Sequence, residues 1–145
     1  MFILPEVQEK VWKLKLKGFR EVEIAQQLNV SRQAVNKAIR AVKSKLAELF
    51  VGLSKVLDCD IIKLDIEKGL FVGRGRQIRD TIYGCYVPGH GPILVFSSVL
   101  DLKDISVSAN VQVLLSFARE YFDIDIKEVD KKALKRVLGE VFERL

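Results

Sequence analysis

The pattern that most constrains this chain is a pair of short helical repeats separated by a break of two residues. Ile24, Ala25 and Leu28 recur at helical spacing, and residues 29–30 interrupt them. Ser31 follows with a hydroxyl that can accept an unpaired backbone N–H at the start of a new helix. Apolar residues then repeat at helical spacing at Val35, Ala38, Ile39 and Val42. The stretch therefore predicts two helices joined by a tight turn.

A further helix is predicted before this pair, from about Pro5 to Lys17. Proline suits the first helical position, and Gly18 suits the C-terminal cap. The run from Leu4 to Leu46 thus predicts a helix-turn-helix, the unit whose second helix can enter the major groove of DNA. Trp12 and Leu16 lie on a second flank of the first helix, so we expect them to pack on a partner chain or on the second domain, with partial exposure of Trp12 as the alternative.

The last helix of the unit is predicted to continue well beyond it, from Ser31 to Asp58, over about 40 Å. Gly52 is the one residue expected to bend or split it. Apolar residues follow a heptad rhythm at Val35, Ile39, Val42, Leu46, Leu49, Leu53 and Val56. The positions from Leu46 onward predict either a dimer seam or docking against the chain's own second half.

The second half predicts a sheet followed by two helices. Strands are expected over residues 60–66, 70–72, 82–87 and 93–98, the last in a central position because its apolar run is unbroken. Helices are expected over residues 108–122 and 127–145. The predicted fold class is α+β: an all-α helix-turn-helix domain with its long linking helix at residues 1–57, then a domain at residues 58–145 with a small antiparallel or mixed sheet and two helices.

Positive charge is concentrated in the first of these regions. The 145 residues carry a net charge of +5; residues 1–57 hold 11 Lys/Arg against 5 Asp/Glu, and residues 58–145 hold 13 against 14. This asymmetry is typical of a polyanion-binding module joined to a neutral one. No apolar run approaches the roughly 18 residues of a membrane span, and the start does not resemble a signal peptide, so we expect a cytoplasmic protein without membrane contact.

The polar face at the start of the long helix provides the candidate site. Gln33 and Asn36 can bond adenine edges, and Arg32 can bond guanine. Lys37 and Arg40 suit bases or phosphates, and Ser31 can cap its helix and touch a phosphate. Lys43, with Lys13, Lys15, Lys17 and Lys45, suits phosphate contact. The predicted DNA-binding residues are Ser31, Arg32, Gln33, Asn36, Lys37, Arg40 and Lys43.

A second candidate site is the glycine-rich middle, where six of the nine glycines lie between Gly69 and Gly91. Arg74, Arg76 and Arg79 place three guanidinium groups near flexible backbone. This loop can be an anion or ligand site, an accessory nucleic-acid contact, or a structural turn. No Gly-Lys-Ser/Thr follows, so it is not a P-loop.

The chain offers little for catalysis or metal binding. Cys59 and Cys85 form no CxxC pair, and the single histidine, His90, cannot complete a usual zinc set with them. His90 lies between two glycines in a predicted turn, without an evident nucleophile beside it. We therefore expect no metal, no cofactor and no enzymatic activity.

One resemblance rests on the N-terminal motifs. The residues that carry it are Leu4, Gln8, Val11 and Leu14, then Gly18-Phe19, then Glu23-Ile24-Ala25, Leu28, Val30-Ser31, Val35 and Ile39. They resemble the helix-turn-helix of LuxR-type regulators and sigma-factor region 4, and the layout is most similar to archaeal Tfx-type DNA-binding proteins. In these families the residues matching Arg32, Gln33, Asn36 and Lys37 face the major groove.

The residues and the resemblance together predict a sequence-specific DNA-binding transcription regulator. We expect it to bind double-stranded DNA as a homodimer, with the second domain sensing a small-molecule effector or holding the assembly together. The alternative is an RNA-binding or RNA-polymerase-associated factor that uses the same basic helical face. A third hypothesis, an enzyme delivered to nucleic acid by the helical domain, lacks candidate catalytic residues.

Overall fold

Three helices open the chain in this computed structural model, which describes residues 2–143. Helix α1 spans Glu6–Leu16, α2 spans Glu21–Leu28 and α3 spans Arg32–Val56. Gly18, with φ of 94°, follows the end of α1 in the left-handed conformation that glycine adopts without strain. The predicted helix-turn-helix elements are confirmed, each to within two residues.

Four strands follow: β1 (Cys59–Asp65), β2 (Leu70–Gly75), β3 (Thr81–Val87) and β4 (Gly91–Phe96). Each strand pairs antiparallel with its neighbour in chain order, so β1 and β4 are the edges. The register places Phe71 opposite Gly84 and Lys63 opposite Val72. A bulge near Ile62 shifts the pairing of β1.

Both faces of the sheet are covered. On one face, Cys59, Phe71, Ile82 and Tyr86 join the buried side chains of α1, α2 and α3 in one cluster. On the other, Leu70, Val72, Tyr83, Cys85, Val87, Ile93 and Val95 pack against the helices that follow the sheet, α4 (Ala109–Tyr121) and α5 (Lys131–Val137). The sheet is therefore the middle layer between two groups of helices.

The predicted arrangement of the fold was wrong on this point. The structure is α+β, but the sheet lies in the middle of the chain rather than forming a C-terminal unit with two helices. Besides α4 and α5, two 3-10 turns at Ser97–Asp101 and Ile105–Val107 and a π-helical turn at Leu138–Phe142 follow it. The physical reason is that β2 and β3 bury side chains on both faces, so the N-terminal helices must cover one face while the C-terminal helices cover the other.

Two of the predicted elements also differ from those in the structure. Strand β4 was expected to be central, but it is an edge strand; its apolar run is unbroken because Ile93 and Val95 face one helical layer while Leu94 and Phe96 face the other. The last helix begins at Lys131, where Asp130 accepts a hydrogen bond from the Ala133 N–H at 2.8 Å, and not at residue 127. The end of that predicted helix, residues 144–145, lies outside the described residues.

Helix α3 runs unbroken through Gly52 and docks on the chain's own sheet. Leu46 and Phe50 are fully buried there, and Leu49 and Leu53 are half-buried against the same cluster. Intramolecular packing, the second of the two predicted alternatives, therefore accounts for these heptad positions. Val56, 82 % exposed, is the exception.

Candidate nucleic-acid interface

The start of α3 is fixed by local hydrogen bonds. Helix α2 ends at Leu28 and is capped by Asn29, whose φ of 54° turns the chain sharply. The Ser31 hydroxyl then accepts from the Ala34 N–H at 3.0 Å, as its position in the sequence predicts. These contacts orient the first turns of α3 relative to α2. Because the Ser31 oxygen accepts this cap bond, its hydroxyl hydrogen is left to donate outward.

The polar face of α3 is open to solvent. Val35, Ala38, Ile39 and Val42 are buried behind it, and the exposed residues are Ser31, Arg32, Gln33, Asn36, Lys37 and Arg40. Four of them, Arg32, Gln33, Asn36 and Arg40, line a surface groove of about 470 Å³ together with Glu21 of α2. The structure thus brings together the predicted base-reading residues and leaves them uncovered by the second half of the chain.

Three cations on this face have no acidic partner among the described residues. Arg32, Lys37 and Arg40 form no ion pair with any side chain of residues 2–143. Uncompensated cations beside exposed amide side chains give the surface both the charge for phosphates and the donor and acceptor groups for base edges.

Lys43 is placed elsewhere. Its Nζ bonds the Glu67 carboxylate in the turn between β1 and β2, and Lys15 Nζ bonds the same carboxylate at 2.8 Å. Hydrogen bonds from both lysines lower the pKa of Glu67 to about 2. Two other lysines suggested for phosphates are also engaged: Lys17 pairs with Glu120 at 3.5 Å, and Lys45 donates to Gln8 at 2.8 Å. Lys13 is exposed and forms no ion pair among residues 2–143.

The three arginines of the predicted anion site differ in their surroundings. Arg76 donates to Asp60 from Nε at 2.9 Å, pairs with it through Nη2 at 2.8 Å, and reaches Asp58 at 3.4 Å. The hydrogen bond to Asp60 and the two negative charges raise the pKa of Arg76. Arg74 on β2 and Arg79 before β3 are exposed. The central guanidinium is therefore paired with carboxylates of the chain itself, and an anion site or nucleic-acid contact at this loop stays a prediction.

A contact that the sequence did not reveal lies inside the groove. Asn36 Nδ2 donates to Glu21 Oε1 at 3.1 Å, across 15 residues of sequence. The two residues stand on different helices, so no periodicity joins them. The angle between α2 and α3 creates the contact, and only a full helix-turn-helix geometry applied to the sequence would have indicated it.

A second cleft, of about 860 Å³, lies between the N-terminal segment, α1 and the turn before β4. Phe2, Leu4, Tyr86, His90 and Pro92 are among its lining residues. Glu9 closes its floor, where the carboxylate accepts from the Tyr86 hydroxyl and the Gly89 N–H. His90 is an exposed turn residue, as predicted.

Residues 2–143 include no helix that is long and apolar enough to cross a membrane, and no three His, Cys, Asp or Glu side chains among them are grouped as a metal site requires. Comparison of the chain with protein-family models, with curated proteins and with solved structures found no match in any of the three.

Proposed function

We propose that this chain is a sequence-specific DNA-binding transcription regulator that acts by binding and not by catalysis. The observation that carries the proposal is the uncovered face of α3, where Gln33 and Asn36 lie among three cations, Arg32, Lys37 and Arg40, that form no ion pair with residues 2–143. The helix-turn-helix resemblance, which covers about residues 4–46, supports the same surface. A cytoplasmic site of action is part of the proposal.

The chemistry of the face gives each residue a role. Gln33 and Asn36 offer one donor and one acceptor each, the pair that adenine presents in the major groove. Arg32 suits guanine, and Lys37 and Arg40 suit bases or phosphates. Ser31 holds the helix start and can donate to a phosphate. Lys43 is left out of this assignment because Glu67 holds its ammonium group.

The test is selection of bound fragments from random duplex DNA, followed by affinity measurements on the selected duplex, an unrelated duplex and a structured RNA. We expect the selected duplex to bind most tightly. The logarithm of affinity should fall linearly with the logarithm of salt concentration, by about 0.9 per neutralised phosphate. Stronger binding to the RNA would favour the alternative function instead.

Substitutions on this face can distinguish recognition of bases from non-specific electrostatic attraction to DNA. Gln33→Ala and Asn36→Ala should each weaken discrimination between selected and unrelated duplexes, by about 1–3 kcal/mol, and change unrelated binding little. Lys103→Ala is the matched control for loss of an exposed side chain, because Lys103 is exposed on a distant loop. Equal losses on all duplexes would contradict base reading.

We propose that the regulator binds DNA as a homodimer, which would place two copies of α3 about one DNA turn apart on a near-palindromic site. Leu46 is buried within the chain, and Leu49 and Leu53 are half-buried against the same cluster, so the proposed dimer contact lies beyond them on α3. Val56 is the remaining heptad position open to a partner. Sedimentation with and without DNA tests the assembly state, and Val56→Glu should weaken a dimer that uses this end of α3.

A small-molecule effector is assigned to the cleft beside Tyr86, because Arg76 is already occupied by carboxylates. The lining of this cleft combines aromatic and aliphatic side chains with the Glu9 carboxylate, which suits a compact, mainly apolar molecule. A fragment mixture monitored by amide NMR should shift the signals of Gly89 and Gly91. Fragments that instead shift only the loop of Arg74 to Arg79 would contradict the assignment.

A further inference from the structure

We infer that Glu21 is a specificity-determining residue: its carboxylate fixes the orientation in which Asn36 presents its side-chain amide to DNA. The inference rests on the proposed function and extends it to a residue on the other helix of the pair. It starts from the hydrogen bond of 3.1 Å between Asn36 Nδ2 and Glu21 Oε1 and from the presence of both residues in one groove.

The chemical reason lies in the asymmetry between the two partners. An asparagine amide has a donor end and an acceptor end of nearly the same shape, whereas an ionised carboxylate only accepts. Glu21 can therefore bond the Nδ2 end of Asn36 but not its Oδ1 end. The carboxylate selects one of the two orientations of the amide.

The selected orientation leaves a defined pair of groups for a base. Nδ2 carries two hydrogens, and the bond to Glu21 uses one of them. The second hydrogen and Oδ1 remain, which together match the N7 acceptor and N6 donor of adenine. Guanine presents two acceptors at the same edge and cannot satisfy Oδ1. Holding the amide in place before binding also reduces the side-chain entropy lost on contact.

A simpler account of Glu21 does not explain its contact. The N-terminus of a helix favours acidic residues in general, and α2 carries Glu23 in the same turn. Glu23, however, accepts from the Arg20 backbone N–H at 3.0 Å and from Arg20 Nε at 3.1 Å, whereas Glu21 bonds a side chain of the groove and forms no ion pair within residues 2–143. A carboxylate in this position repels phosphates and therefore does not raise the overall affinity for DNA. We expect the contribution of Glu21 in base specificity instead.

The experiment uses the full chain and the duplex obtained by selection. Substituting each base pair in turn and comparing wild type with Asn36→Ala identifies the position that Asn36 reads. Glu21→Ala should then reduce the preference for adenine at that position alone, by about fivefold, the usual effect of one lost hydrogen bond. In the Asn36→Ala background the same substitution should leave base preference unchanged, as a double-mutant cycle requires for two coupled residues.

Two further variants make the result specific. Glu23→Ala removes an acid from the same turn of α2 without touching the groove, and it should leave base preference as in the wild type. Glu21→Gln keeps an acceptor but adds a donor, so it should allow both amide orientations and also reduce the preference. Thermal unfolding of each variant checks that α2 is retained.

Several outcomes would overturn the inference. One is an equal change of affinity on all four base pairs when Glu21→Ala is introduced into the otherwise wild-type protein, because that result means charge repulsion alone. Another is a wild-type protein that selects a duplex whose preferences do not depend on Asn36, which would leave the proposed function intact. If the wild type shows no preference for any duplex, the proposed function itself has failed.

Discussion

Phe50 on α3 and Phe71 on β2 stack with ring centroids 5.1 Å apart and an angle of 29° between their planes. Both side chains are fully buried. The pair connects the helix that carries the candidate DNA-binding face to the central sheet. The orientation of α3 therefore depends on packing some five turns away from its polar start.

Truncating this contact should destabilise the whole protein. We expect Phe71→Ala to lower the free energy of unfolding by about 3–5 kcal/mol, because it removes buried apolar surface and leaves a cavity between helix and sheet. Urea unfolding measures the change. Val107→Ala, at an exposed position outside α3 and β2, is the control and should stay within about 0.5 kcal/mol. A loss below about 1 kcal/mol for Phe71→Ala would show that the contact is not part of the core.

Two glycine substitutions should act in opposite directions. Gly84 lies opposite Phe71, and a Cβ atom there would overlap the aromatic ring, so Gly84→Ala should cost about 1–3 kcal/mol of stability through overpacking. Gly52 stands within α3 with open space around it, so Gly52→Ala should raise stability by about 0.5–1 kcal/mol. Thermal unfolding of both variants tests the pair. A smaller loss for Gly84→Ala in a Phe71→Leu background would confirm the cause.

The same two residues show what the sequence could and could not predict. The helical repeat of Val35, Ile39 and Val42 predicts α3 because periodicity is a local property. The docking of Phe50 on Phe71 depends on which face of β2 turns toward the helix, and that choice depends on the whole fold. Sequence reasoning accordingly found each strand but not the position of the sheet between two helical layers.

The candidate site was likewise predictable from the sequence only in part. Exposure of Gln33 and Asn36 follows from the periodicity of α3, so the sequence alone identified them. The partners of Lys43 and Arg76 are carboxylates brought close by the turn after β1 and by the edge of the sheet. The charges of these two residues suggested nucleic-acid contact, but local sequence contains no signal for the acids that neutralise them.

The stability contributed by Glu67 should depend on pH. Its carboxylate accepts from Lys15 and Lys43, and its pKa is lowered from 4.5 to about 2. A carboxyl whose pKa is lower in the folded state stabilises the protein above its unfolded pKa and loses that contribution as pH falls through the folded value. Wild type should therefore exceed Glu67→Gln in stability near pH 7, and the difference should shrink between about pH 4.5 and 2.

NMR titration of the Glu67 carboxyl provides a direct check, and added salt should reduce the stability difference because the side chain is 60 % exposed. Lys68→Ala, at an exposed lysine in the same turn, controls for general effects of charge. A titration midpoint near 4.5 would contradict the prediction.

Two lysines of α3 should differ in their contribution to the salt dependence of DNA binding. Lys37 is exposed beside the groove, whereas the Lys43 ammonium group is bound to Glu67. Lys37→Ala should reduce the slope of log affinity against log salt by about 1, the value for one lost phosphate contact, and should do so on selected and unrelated duplexes alike. Lys43→Ala should change the slope much less, because the carboxylate already neutralises its charge.

Glu67→Gln in the wild-type background should steepen the slope by releasing Lys43, and a double variant Glu67→Gln/Lys43→Ala should reverse that gain. Equal slopes for Lys37→Ala and Lys43→Ala would mean that DNA displaces Glu67 from Lys43. Lys43 would then belong to the DNA-binding surface, contrary to the assignment above.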